Sequence, residues 1–317
     1  MDKKPILIPK ITLMIFLGMG LLSIGSSYAH ASFVIDIPYQ TKALVTPVPD
    51  DSVPGSSWKS QNEKTYFPYI AYIIPTATPA TPWKILRVDS THSFSNMGDR
   101  SLRLGPDRLP RIAYGGDRLY YGRYDGVTWH IQTVDDTPNV GKYTSLALDN
   151  VGDPHISYYN ANTKKLKYAH WTGITWEIET VDSGTDVGLY TSIALDNAEN
   201  PRISYADNLN GTLKYARWTG TSWAITTVDT IQVGRYTSLA LNNSNNPFIS
   251  HYDFMNGNLK YAYNNGTSWE LQVIDVRDQV GLFTSIILDQ SGNPHISYYD
   301  ETNDDLKYVR WTGSIWE

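Results

Sequence analysis

Six tryptophans place the strongest constraint on this chain. Trp83, Trp129, Trp176, Trp223, Trp269 and Trp316 follow one another at steps of 46, 47, 47, 46 and 47 residues. A fixed period in this range marks one supersecondary unit copied along the chain. Each copy is too small to bury its own apolar face and must stack on the next. The unit reads most clearly from residue 187, as VGLYTSIALDNAENPRISYADNLNGTLKYARWTGTSWAITTVD.

Every full copy holds four short segments of strand character. YTSLAL at residues 143–148 recurs as YTSIAL, YTSLAL and FTSIIL, and HISYY at 155–159 as RISYA, FISHY and HISYY. LKYAHW at 166–171 returns as LKYARW, LKYAYN and LKYVRW, and WEIETVD at 176–182 as WHIQTVD, WAITTVD and WELQVID. β-branched and aromatic residues dominate, and apolar positions alternate with polar ones, which is strand periodicity. The joints carry turn chemistry. DNVGDP, DNAENP, NNSNNP and DQSGNP each deliver a proline to the second strand, and WTGITW with its copies forms a tight third joint. No helical period appears after residue 82.

Antiparallel four-stranded units repeated at this spacing predict an all-β fold, the blades of a β-propeller. The first strand supports this, since Ser145 and Ala147 share a face and are small enough to crowd an axis. Tyr158, Tyr168 and Trp176 are then expected to fill the spaces between blades. A solenoid meets the same period and is the competing arrangement. Three regular copies start at Val140, Val187 and Val233, preceded by a degenerate copy at residues 101–135. The last starts at Val280 and reaches Glu317 with most of its fourth strand missing, while WKILRVD at 83–89 is a fourth strand without the other three. The expectation is five blades, with the N-terminal strand closing the last blade and removing an exposed edge. A larger ring is the alternative.

The W-x-G-x-x-W joints and DGVTW at 125–129 resemble a shortened Asp-box, the turn motif of sialidase-like propellers, although Thr replaces the Asp in most copies. Units of about 47 residues over 83–317 also resemble the tachylectin-type five-bladed lectin propeller. The lectin resemblance implies amino-sugar binding between blades. The sialidase resemblance implies an arginine triad, a Tyr–Glu pair and an Asp, none of which can be placed on this sequence.

Outside the repeats the chain reads as an address and a tether. Lys3, Lys4 and Lys10 precede an apolar run at 11–24, and Ala29-His30-Ala31 completes a signal peptide over 1–31, cut after Ala31. A retained anchor is the alternative, but the run is short of the ~20 residues of a bilayer span. Residues 32–82 are rich in Pro, Thr and Ser and read as an extended spacer. YFPYIAYII at 66–74 interrupts it and is expected to pack on its own domain. The protein is therefore expected to be secreted or held at the cell surface, monomeric, with no membrane insertion beyond the signal peptide. It has no cysteine, so an exported form must be held by its core. Net charge is −6 and the basic residues are scattered, which argues against a nucleic-acid partner.

The loops between second and third strands hold the candidate ligand-binding residues: Tyr159 and Asn160, Asp207 and Asn210, Tyr252, Asp253 and Asn256, and Tyr299, Asp300 and Asn303. Asp and Asn can orient a sugar on which tyrosine stacks. The same residues equally suit Asx-turns that close their own hairpins. Gly141, Gly188, Gly234 and Gly281 each lie two residues before Tyr143, Tyr190, Tyr236 and Phe283, an arrangement read as positive φ plus an aromatic plug. His155 and His295 share a repeat position with Arg202 and Phe248, which fits neither a general base nor a metal ligand. Residues 300–305 lack the ligand alternation of a Ca²⁺ loop, and no nucleophile motif occurs. No catalytic residue, metal or cofactor is assigned. The sequence thus predicts a propeller that binds an extracellular glycan or protein ligand at several similar sites. Two alternatives remain: a sialidase-like glycan hydrolase centred on the irregular first copy, near Arg100, Arg103, Arg108 and Arg111, and a protein-interaction scaffold on the cell envelope.

Overall fold

The computed structural model describes residues 33–37, 41–45, 85–95, 100–277 and 279–317. The chain divides into two units, 1–86 and 87–317. In the first, Phe33–Ile37 pairs antiparallel with Thr41–Val45, Phe33 opposite Val45 and Ile37 opposite Thr41. The rest of the segment expected to form a spacer, up to residue 82, lies outside the described residues. FVIDI and TKALV carry the apolar and β-branched residues of a strand, unlike the Pro-rich sequence after them. The expected signal peptide and the apolar stretch 66–74 lie outside the described residues.

The second unit is all-β: five antiparallel sheets follow one another in chain order, each a simple meander. In the second blade the strands are Val140–Leu148, Pro154–Asn160, Lys165–Trp171 and Trp176–Asp182. The inner strands of the next three are Val187–Leu195, Arg235–Leu241 and Val280–Leu288, each packed beside the one before it. The degenerate first copy keeps only a three-residue inner strand, Leu102–Leu104. These sheets are the predicted blades.

Small polar residues hold the inner strands together. Ser145 Oγ accepts the Ile193 N–H, Ser192 Oγ the Leu239 N–H and Ser238 Oγ the Ile286 N–H, each at 3.1 Å. Beside them Ser157 pairs with Thr191 at 2.8 Å and Ser204 with Thr237 at 2.7 Å, all buried. A buried hydroxyl without such a partner would be costly, so these contacts fix the spacing of the blades as well as their order. Outward from the axis the gap is filled by large side chains. Leu166, Tyr168 and Val181 of the second blade pack on Val187, Ile193, Ile203 and Tyr205 of the third, and the other interfaces repeat this set.

A carboxylate then latches each blade to the following one. Asp135 accepts the Tyr158 hydroxyl at 2.6 Å, Asp182 that of Tyr205 at 2.8 Å, and Asp275 that of Tyr298 at 2.8 Å. His251 takes the tyrosine's place in the fourth blade and reaches Asp229 at 3.0 Å. Asp89 performs the same task for the first blade, binding Tyr114 at 2.6 Å.

The last blade differs from the expected closure. Its sheet has three strands, and among the described residues Arg87 to Asp89 form no strand beside it. The first rungs of a fourth strand are instead made by the chain's own last residues. Arg310 N–H donates to Glu317 O at 2.8 Å, and Glu317 N–H donates back at 2.9 Å. The tight turn after Trp311 returns Trp316 to this place, so the position is already taken. Trp83 lies outside the described residues. The outward face of this blade is uncovered: Leu306 is 84% and Tyr308 58% exposed, whereas the equivalent Leu259 and Tyr261 are 0% and 4%.

This contrast predicts unequal costs for one chemical change. Leu259→Ala should destabilise the domain by about 2–5 kcal/mol, and Leu306→Ala by less than about 0.5 kcal/mol. Denaturant unfolding of the two variants measures the difference. A large loss from Leu306→Ala would mean that this face is covered in solution.

Candidate functional site

The sequence-predicted loops lie together on one face of the stacked blades. Ala161 N–H donates to Asn139 O, Asn208 to Asp186 and Phe254 to Gln232, so each loop leans on the connection entering its own blade. Their polar atoms point into the loops. Asp207 accepts the Asn210 N–H at 3.0 Å and its side-chain amide at 2.9 Å, and Asp253 and Asp300 do the same for Asn256 and Asn303. Asn160 accepts the Asn162 and Thr163 N–H groups at 3.0 Å. All four are buried, and Lys214 and Lys307 cover Asp207 and Asp300 from behind. This is Asx-turn geometry. The tyrosine hydroxyls are engaged too: Tyr159 with Asp186, Tyr252 with Gln279 and Tyr299 with Asp304.

The Gly-x-aromatic step does more than plug a gap. Gly188 sits at φ +103°, where a Cβ would come within 2.6 Å of Leu166 Cα, so no larger residue fits. Two residues later Tyr190 is itself left-handed at φ +54°, as are Tyr143, Tyr236 and Phe283 at +55°, +52° and +50°. Bulky residues avoid this region. The ladder slips at each of these points, and the bulge brings the rings of successive blades to 4.6, 4.7 and 4.4 Å between centroids. The result is a continuous aromatic arc. Sequence analysis found these residues but not their mutual contact, which only the ring creates.

Three of the four arginines of the irregular first copy have assignable surroundings, in two different places. Arg100 donates to the Ile286 carbonyl and Arg103 to that of Leu102. Both line an axial cavity of about 460 Å³ with Ala194, Leu195, Ala240 and Leu241. Arg111 is buried and tied to Asp107 at 2.6 Å. Among the described residues no cluster of three or more His, Asp or Glu has the geometry to hold a metal.

A third set of positions was missed as a site: the grooves between successive blades at their outer strands. In each, a tyrosine of one blade's third strand meets edge-on the tryptophan opening the next blade's outer strand. The pairs are Tyr121–Trp176, Tyr168–Trp223, Tyr215–Trp269 and Tyr261–Trp316, at 5.6, 5.4, 5.3 and 5.1 Å. The tyrosines are buried and the tryptophans half-buried. Polar side chains flank the pair. On the first blade's side of the first groove, Tyr121, Arg123, Asp125, His130 and Gln132 line a hollow of about 440 Å³. Gln132 accepts the Trp176 indole N–H at 3.3 Å, as Gln272 accepts that of Trp316 at 2.8 Å. In the second groove Trp223 Nε1 and His170 Nδ1 are buried without a hydrogen-bond partner among the described residues. The tryptophan period announced these rings, but their pairing across blades depends on the stacking.

The turn above each groove explains the partial likeness to an Asp-box. Asp125 accepts the Val127 and Thr128 N–H groups at 2.8 Å and pairs with His130 at 2.6 Å. The hydrogen bond from His130, with these two, holds its carboxyl well below the usual range. Thr172, Thr219 and Thr312 accept from their own turns through Oγ1, so the threonines perform the carboxylate's capping task.

No protein-family model matches the sequence, and comparison with curated proteins finds no match. Among solved structures the fold is similar to an arginine-to-alanine triple mutant of AofleA from Arthrobotrys oligospora, with TM-score 0.52 and 12% identity, covering 93% of this chain and 83% of that one. It is similar to the same degree, TM-score 0.52, to a protein of unknown function from Dyadobacter fermentans, at 10% identity over 91% and 85% of the two chains. The Aleuria aurantia lectin, solved with Fucα1-6GlcNAc, matches at TM-score 0.48 and 17% identity, over 66% of this chain and 73% of its own. At these identities the first two likenesses establish the fold alone.

Two buried histidines beside the blade interfaces give the domain a pH dependence. Burial and the neighbouring His170 push His155 down to about 4, and burial lowers His251 as well. An unfolded histidine titrates near ~6.5, so between about 6.5 and 4 the unfolded chain binds more protons than the folded one. Stability should therefore fall as pH falls through this window. His155→Phe, which installs the residue found at the equivalent Phe248, should flatten the slope of Tm against pH. An unchanged slope would show that His155 is not buried as a neutral ring.

Proposed function

We propose that this protein is a carbohydrate-binding propeller, acting outside the cell, whose sites are the four grooves between successive blades. One observation carries the reading: a Tyr–Trp edge contact recurs four times with hydrogen-bonding side chains around it. A half-exposed indole offers the apolar surface on which a sugar ring stacks, and a few fixed polar groups orient its hydroxyls. The N-terminal pattern of a signal peptide supports export. Several weak sites on one row of stacked blades suit a ligand displayed in many copies.

The test is a glycan array on the full chain, followed by calorimetry on any hit. Binding should engage more than one site per chain, and Trp223→Ala should reduce affinity or stoichiometry while leaving the other grooves intact. Circular dichroism of the variant separates loss of a site from loss of the fold. If a folded sample binds no glycan, the grooves are not sugar sites and the scaffold reading takes their place.

A further inference from the structure

The four grooves are built on one repeat but do not carry one chemistry. The position two residues after the groove tyrosine is Arg123 in the first groove and His170 in the second. In the outer strand the pair His130 and Gln132 of the first groove becomes Glu177 and Glu179 in the second. Equivalent backbone sites thus present a cationic flank in one groove and an acidic flank in the next.

In the first groove the neighbouring charges are already committed. Asp125 is held by its turn and by His130, and Arg111, the cross-strand partner of Arg123, is tied to Asp107. Arg123 is exposed, and no hydrogen bond or ion pair among the described residues engages it. It lines the 440 Å³ hollow with Tyr121 and Gln132, and Gln132 in turn accepts the Trp176 indole N–H. A guanidinium presents a planar fork of donors that matches a carboxylate at two points, which gives selectivity that an exposed point charge in water does not.

Resting on the carbohydrate-binding reading, we propose that the first groove selects a sugar that bears a carboxylate, a hexuronic acid residue, with Arg123 as the residue that recognises the acid. The acidic second groove takes uncharged sugars, so the sites act as a set of different specificities and not as copies of one.

The experiment is ligand-observed NMR and calorimetry on the full chain with methyl β-glucuronide and its uncharged counterpart methyl β-glucoside. In the first groove the glucuronide should bind at least tenfold tighter, and raising the salt concentration should reduce the gap. Arg123→Gln should bring the two affinities within about twofold. Because Arg123 is exposed, an unchanged Tm is expected for Arg123→Gln and confirms that only the groove has changed. Equal affinities in the unmodified protein would overturn the proposal, as would a preference that survives Arg123→Gln or no detectable binding of either sugar in the millimolar range. Array hits for neutral glycans alongside any of these results would keep the grooves as sugar sites and remove only the acid selectivity. A chain that binds no glycan at all would remove both.

Discussion

The contact on which the second unit depends is the hydrogen bond from a backbone N–H of one inner strand to a serine of the strand before it. Ser145, Ser192 and Ser238 are fully buried and each accepts from the following blade. A larger side chain at these positions would push the strands apart. An apolar residue of similar size would leave the incoming N–H unsatisfied in a place water does not reach. Every feature farther from the axis inherits the spacing set here, including the distance at which a tyrosine meets the next blade's tryptophan.

The same spacing concentrates strain on one side of the ring. Four aromatic residues hold left-handed backbone angles, a conformation that bulky side chains adopt only where the surroundings over-determine it. The surroundings here are the glycine two residues earlier, with no room for a Cβ, and the aromatic neighbours on adjacent blades. The outer grooves are under no such compulsion. Their tryptophans are half-buried and their flanking side chains vary from copy to copy, which separates a framework kept uniform from edges free to differ.

Much of this was legible in the sequence, because the signals were local. The tryptophan period, the alternating strands, the proline entering each second strand and the Asx-rich turns all act within a few residues of themselves. Asp207-x-x-Asn210 shows the limit of that legibility. The sequence supported both a ligand loop and an Asx-turn, and burial of the carboxylate with both its oxygens turned to Asn210 is a tertiary fact. The closing strand at 83–89 met a similar limit. Its fourth-strand motif is real, and Asp89 latches Tyr114 as other fourth strands latch the following blade. Its place beside the last sheet was nonetheless contested by Trp316, and that contest turns on a tight turn far away in the chain.

The sequence by itself determined the repeating unit, its four strands, and the size and polarity of each side chain, because these follow from backbone preferences and periodicity over short distances. The tertiary structure alone decided which residues from different copies become neighbours. Tyr168 and Trp223 lie 55 positions apart and pair only because the axial serines set two sheets side by side. The grooves, the aromatic arc and the opposite charges of Arg123 and Glu177 in adjacent clefts are products of that stacking, and no local pattern encodes a contact made across a gap between blades.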